Sequence, residues 1–126
     1  MPHDGTPASS TLRLKHAEHV VRLRLQHVLD DEHITFEHWQ VLAALLEQPG
    51  LRMTDLAEAA VLPPATLTRH VDRLAERALV IRQIDPDDKR RVSVVLSRHG
   101  HQLASRVRAA EPVADVAVDG VLPVAN

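Results

Sequence analysis

The 126-residue sequence has no cysteine, no tyrosine, one tryptophan, one phenylalanine and four glycines. Without cysteine there are no disulfides, no thiolate-ligated zinc and no thiol chemistry, whether catalytic or redox-sensing. Phe36 and Trp39 are the only aromatic side chains, too few to form a platform on which single-stranded bases stack, and this excludes most RNA-binding modules. The scattered glycines make no phosphate-cradling loop, and neither Gly-x-Ser-x-Gly nor His-Glu-x-x-His occurs, so enzymatic activity has no support. The longest apolar run, Val41 to Leu46, falls far short of the roughly 20 residues that cross a bilayer. No N-terminal segment joins a basic stretch to an apolar one. Residues 1–10 therefore read as a disordered tail and the protein as cytoplasmic.

What remains is an ordinary globular composition, 44% hydrophobic and 25% charged, of a length suited to one core. The charge is unevenly placed. Residues 1–62 carry five Lys/Arg against nine Asp/Glu, and residues 109–126 carry three acids and no base. Residues 63–108 carry ten bases against five acids, a basic segment within a chain of net charge −2. A local imbalance of this kind is often only a solvated face, so its meaning depends on the motifs it overlaps.

Hydrophobic periodicity divides the chain into helices and a hairpin. Leu14, Ala17, Val21, Leu25 and Val28 follow helical spacing from Leu12 to Asp30, and Val20, Leu23 and Leu29 widen the stripe enough to predict burial on two sides. Asp30-Asp31-Glu32-His33 breaks that pattern. Thr35 suits the N-cap of a second helix with Phe36, Trp39, Leu42 and Leu46 on one face, ended by Pro49-Gly50. Thr54 can cap a short third helix. Pro63-Pro64 then starts a helix reaching Ala78, because proline is tolerated where a first-turn N–H has no partner. On that helix Leu67, Val71, Leu74 and Ala78 make one inward face, opposite Ala65, Thr66, Thr68, Arg69, Asp72, Arg73 and Glu76. A short helix, a tight turn and a longer helix form a helix-turn-helix pattern. Leu79 to Ile84 and Val92 to Leu96 read as two strands joined by a turn at Asp85-Pro86-Asp87-Asp88. Ser97 can cap a fifth helix carrying Leu103, Ala104 and Val107 inward, and Pro112 ends it.

These residues resemble the multiple-antibiotic-resistance regulator (MarR) family of winged helix-turn-helix transcription factors. The match runs from Pro64 to Gly100 through Leu67-Thr68-Arg69-His70-Val71-Asp72-Arg73-Leu74, Glu76-Arg77-Ala78-Leu79-Val80, Asp85-Pro86-Asp87-Asp88-Lys89-Arg90-Arg91 and Leu96-Ser97-Arg98-His99-Gly100. A weaker stretch runs from Ile34 through Trp39-Gln40-Val41-Leu42 to Leu56-Ala57. The resemblance implies a mainly α fold with a small β-hairpin wing. Residues 35–96 would form the DNA-binding winged helix-turn-helix, and residues 11–34 and 97–126 a helical dimerisation region. It further implies a homodimer on pseudo-palindromic double-stranded DNA, acting as a repressor that responds to a small-molecule effector. Two departures stand out. Ala78 occupies a usual glycine position, and fewer residues follow Pro112 than a full final helix needs.

A recognition helix must offer short polar or forked side chains to base edges, as Ala65, Thr66, Thr68, Arg69 and Arg73 do. The competing reading is that Arg69, Asp72, Arg73 and Glu76 merely pair with one another along an exposed helix. By the resemblance Arg90 is the wing arginine that enters the minor groove, Asp88 orients it, and Lys89 and Arg91 contact phosphate. Arg82 and Arg98 are further backbone-contact candidates. Phe36, His38 and Trp39 are candidates for an effector pocket. His16, His19, His27, His33 and His38 crowd the first two helices without a compact ligand motif, so no metal site and no cofactor are assigned. Two alternatives stay open: a winged-helix protein-interaction module without DNA binding, and a metal-responsive regulator.

Overall fold

Ser9 opens the first helix by accepting from the Leu12 N–H at 3.3 Å. In this computed structural model, which describes residues 7–112, α1 runs Ser10–Glu32. Of the tail expected at 1–10, residues 1–6 lie outside the described residues, while Ser9 and Ser10 cap and begin α1; of the helical region expected at 97–126, residues 113–126 lie outside them. The acidic run at Asp30 does not end the helix, because acids lose only the apolar stripe and not the capacity for helical backbone. Termination falls to His33, which turns left-handed at φ 57° and donates its N–H to the Leu29 and Asp30 carbonyls. Burial of α1 is one-sided. Ala17, Leu25 and Leu29 face the core, whereas Leu12, Leu14, Val20 and Leu23 are exposed, Leu23 at 57%.

Helix α2 (Phe36–Glu47) starts at the predicted cap. The Thr35 hydroxyl accepts from the His38 N–H at 3.0 Å, while His38 Nδ1 accepts from the Thr35 N–H at 3.2 Å, a reciprocal capping box. A two-residue strand absent from the periodicity reading, β1 (Leu51–Arg52), leads directly into α3 (Met53–Ala60). Thr54 therefore lies inside α3 and does not cap it; the cap position is Arg52, without a side-chain hydrogen bond. Val61 turns left-handed, and the Pro63-Pro64 start of α4 (Pro64–Glu76) follows.

Ala78 departs from expectation. It lies two residues beyond α4, exposed and left-handed at φ 58°, with Leu79 N–H donating to the Leu74 carbonyl at 2.9 Å. The alanine thus adopts the conformation that glycine would take without strain. The wing strands β2 (Val80–Ile84) and β3 (Val92–Leu96) pair antiparallel with Val80 opposite Leu96 and Ile84 opposite Val92. Because Leu51 also pairs with Val94, the hairpin becomes a three-stranded sheet in the order β1-β3-β2. The result is a mainly α winged helix-turn-helix.

The core sits around α2, which packs against α1, α3, α4, α5 and β3. Leu42, Leu45, Leu56, Leu67, Val71, Leu74, Leu79, Val94, Leu103 and Val107 are fully buried. Helix α5 (Arg98–Ala110) is fastened at its first turn. Ser97 Oγ accepts from the Gly100 N–H at 2.9 Å and donates to the Ala78 carbonyl at 2.6 Å, and Ser97 N–H donates to the Leu79 carbonyl at 3.0 Å. Gly100 lies so close to that Leu79 carbonyl that a Cβ there would collide with backbone.

Two substitutions of opposite sign test this corner. Gly100→Ala would stabilise an exposed helix by about 1 kcal/mol, but here it is expected to cost about 1–3 kcal/mol through overpacking. Ala78→Gly removes a left-handed alanine and is expected to add about 1 kcal/mol. Urea unfolding at neutral pH measures both; a stabilised Gly100→Ala would contradict the close approach.

Candidate nucleic-acid interface

Burial of Leu67, Val71 and Leu74 on one face of α4 turns the opposite face outward. Ala65, Thr68, Arg69, Asp72 and Arg73 are exposed and Thr66 is half-buried. Thr68 Oγ1 donates to the Pro64 carbonyl at 3.0 Å, so its hydroxyl is occupied along the helix and its methyl is the part left to meet a ligand. The expected alternative, pairing of charges along α4, does not form. Asp72 pairs with Arg82 of β2 instead, and Arg69 and Arg73 have no ion pair among the described residues. Arg82, read in sequence as a backbone-contact candidate, is therefore engaged within the chain and ties the wing to α4.

The wing tip is organised by Asp88. Its Oδ1 accepts from the Arg90 N–H at 3.0 Å and from Arg90 Nε at 3.2 Å, its Oδ2 lies 3.5 Å from Arg91 Nε, and its carbonyl accepts from the Arg91 N–H at 2.9 Å. The Arg90 hydrogen bonds hold the Asp88 carboxyl below the usual carboxylate range, with Arg52 adding to the effect. Asp85 N–H donates to the Arg91 carbonyl at 2.9 Å and closes the turn. Arg90 remains 92% exposed at its side chain, so the carboxylate restricts where the guanidinium points without removing it from solvent. Lys89 and Arg98 are exposed without ion pairs among the described residues. Sequence reasoning missed Arg52, which lines an open cavity of about 480 Å³ beneath the wing with Arg91 and Ser93. Arg52 comes to the wing only because β1 pairs with β3.

Phe36, His38 and Trp39 do not line a common pocket. Phe36 and Trp39 lie one turn apart on the same side of α2, and His38 leaves toward another side. Phe36 lies under the Arg22 guanidinium, 4.2 Å from carbon to ring centre, and lines a cavity of about 410 Å³ with His19, Leu23, Leu29 and Ile34. Trp39 is 2% exposed in the core, its Nε1 donating to Glu111 Oε2 at 3.1 Å. His38 faces α4, where its ring meets His70 edge-on at 4.8 Å beside a cavity of about 540 Å³ that Arg69, Arg73 and Glu76 also line. The other amino-terminal histidines stay dispersed, and no three metal-ligating side chains converge among the described residues.

Burial lowers the His38 pKa below its ordinary value of about 6.5, with His70 and Arg77 acting in the same direction and Glu37 opposing them. Its Nδ1 must also stay unprotonated to accept from Thr35. The folded state thus holds His38 neutral at a pH where the unfolded chain is already protonated, and stability falls as pH drops through about 6.5 until the folded-state value is passed. His38→Gln retains an acceptor of the usual capping-box kind but cannot titrate. Between about pH 8 and about pH 5.5, wild type is expected to lose more stability than His38→Gln in urea unfolding; parallel losses would remove His38 from the pH dependence.

Comparison with known proteins places this geometry. A MarR family model matches residues 34–91. The chain is 39% identical over 92 residues to the transcriptional regulator HosA of Escherichia coli O111:H-, covering 73% of this chain and 64% of HosA, so the match spans just under two thirds of that relative. It is 25% identical over 100 residues to the homoprotocatechuate degradative operon repressor of Escherichia coli, covering 79% of this chain and 68% of that one. The crystal structure of NadR in complex with 4-hydroxyphenylacetate superposes with a TM-score of 0.78 at 27% identity, covering 96% of this chain and 84% of NadR. In sequence over residues 34–91, and in three dimensions, the winged helix-turn-helix of this chain is similar to those of the MarR family.

Proposed function

We propose that the chain is a transcriptional regulator acting as a repressor, a homodimer that binds pseudo-palindromic double-stranded DNA. The observation that carries this reading is the pair of outward arginines Arg69 and Arg73 on α4, without ion pairs among the described residues, beside a wing whose exposed Arg90 is oriented by Asp88. A fork on a helix suits guanine in the major groove, and a cation on a narrow hairpin suits the negative potential of the minor groove. Ala65, Thr66 and Thr68 would complete the base and phosphate contacts on α4, with Lys89 and Arg91 on phosphate. Residues 35–96 would do the reading. The apolar side chains Leu12, Leu14, Val20 and Leu23, left uncovered on α1, support residues 11–34 as one half of a dimer interface, with 97–126 as the other.

A small-molecule effector fits the same reading. The cavity beside Phe36 lies between α1 and the start of α2, with Arg22 and His19 beside apolar Leu23, Leu29 and Ile34. An effector there would act by favouring dimers whose recognition helices are wrongly spaced for the site. NadR holds a small aromatic acid, which supports an effector of comparable size here. A protein-interaction module remains the contrasting reading, favoured by the acidic net charge.

Salt separates the two. Duplex binding through phosphate contacts is expected to weaken by roughly 0.9 log unit per neutralised phosphate for each decade of salt, and Arg90→Ala is expected to cost about 1–3 kcal/mol of affinity. Asp88→Asn is the sharper variant. It makes the wing more positive yet is expected to weaken binding, because the carboxylate that orients Arg90 is gone. Fluorescence anisotropy against salt reads all three, and tighter binding by Asp88→Asn would refute the orienting role.

A further inference from the structure

The last turn of α1 concentrates negative charge. Asp30, Asp31 and Glu32 sit where the terminal carbonyls of the helix already carry partial negative charge, and α1 has no basic residue in that turn. Two arginines distant in sequence meet it. Arg106 of α5 lays its guanidinium along the Glu32 carboxylate, Nε to Oε2 at 2.7 Å and Nη2 to Oε1 at 3.1 Å, and holds the Glu32 pKa below its ordinary range. Arg77, the residue that caps α4, donates Nη1 to the His33 carbonyl at 2.6 Å and Nη2 to the Glu32 carbonyl at 2.9 Å. Among the described residues no other hydrogen bond or ion pair joins this turn of α1 to α4 or its cap.

The two kinds of contact that hold α4 differ in what they constrain. Packing of Leu67, Val71 and Leu74 against the core is non-directional and tolerates small rotations. A planar guanidinium with two donors on two successive carbonyls fixes distance and rotation together. Helix α4, at 13 residues, is about 20 Å long, and a rotation of about 10° at its capped end would move its first turn by about 3 Å. That displacement is close to the roughly 3.4 Å rise of one base pair.

We propose that Arg77 is a positioning residue whose guanidinium fork sets the angle of α4 relative to α1 and thereby the spacing of the two recognition helices. The inference rests on the homodimeric regulator reading above. It assigns Arg77 no contact with DNA. Its effect is a discrimination between half-site spacings rather than a general affinity.

The test begins by selecting duplexes with wild-type protein from a library in which half-site spacing varies. Wild type, Arg77→Lys and Arg77→Ala are then titrated against the selected duplex, against duplexes one base pair longer and shorter between half-sites, and against random duplex. Arg77→Ala is expected to lose about tenfold on the selected duplex and most of its preference over the altered spacings. Its random-duplex affinity and salt slope are expected to stay within about twofold of wild type, with sedimentation still that of a dimer. Arg77→Lys keeps the charge but not the fork and is expected to fall between. It carries the test if Arg77→Ala does not fold. Equal proportional loss on every duplex would make Arg77 a phosphate contact, and unchanged spacing discrimination would remove its positioning role; either overturns the proposal. Wild type that sediments as a monomer, or binds one half-site as well as two, overturns the regulator reading and the positioning role with it.

Discussion

The burial of one face of α4 is the constraint from which the rest of the site follows. Leu67, Val71 and Leu74 lie at i, i+4 and i+7, fully withdrawn from water, and once they are anchored the helix cannot turn far about its own axis without exposing them. The opposite face is then outward by geometry alone, and it carries Arg69 and Arg73. Helix α2 supplies much of the anchor, since it also packs on α1, α3, α5 and β3. The face bearing Arg69 and Arg73 is thus mounted on the helix at the centre of the described core.

Carboxylates in this chain direct cations more than they cancel them. Asp72 takes Arg82 from β2 and so leaves Arg69 and Arg73 on its own helix without ion pairs among the described residues. Asp88 binds Arg90 and Arg91 yet leaves Arg90 exposed. Such exposed pairs contribute little to stability. Their consequence is geometric: α4 and the wing are held to each other, and the wing arginine samples fewer orientations. The basic segment at 63–108 is therefore not a uniformly solvated face, because its acids and bases are sorted into tied and free groups.

The acidic end of α1 serves as the meeting point for α4 and α5. Its clustered charge and unsatisfied carbonyls would be unfavourable in isolation, and Arg77 and Arg106 supply the complementary donors. Whatever shifts α1 is felt at the ends of two other helices. The exposed apolar side chains Leu12, Leu14, Val20 and Leu23 lie on the same helix.

Much of the fold was legible because its signals are local. The caps at Thr35 and Ser97, the Pro63-Pro64 start, the periodic face of α4 and the wing turn each depend on interactions between residues about four positions apart, whereas the local cap signal at Thr54 was overridden by the pairing of β1. Asp88 aiming Arg90 is local too. Tertiary structure alone decided the rest. The strand β1 exists because Leu51 meets Val94, Asp72 finds Arg82 ten residues on, Trp39 reaches Glu111 across 72 residues, and Arg77 reaches the end of α1 across 44 and 45. Phe36 and Trp39 share a side of α2 and His38 takes another, yet the three separated into different environments because α1, the end of α5 and α4 meet α2 at different points along it. Periodicity states which face of a helix is buried; which helix end or strand lies opposite a given charge is settled only when the elements pack.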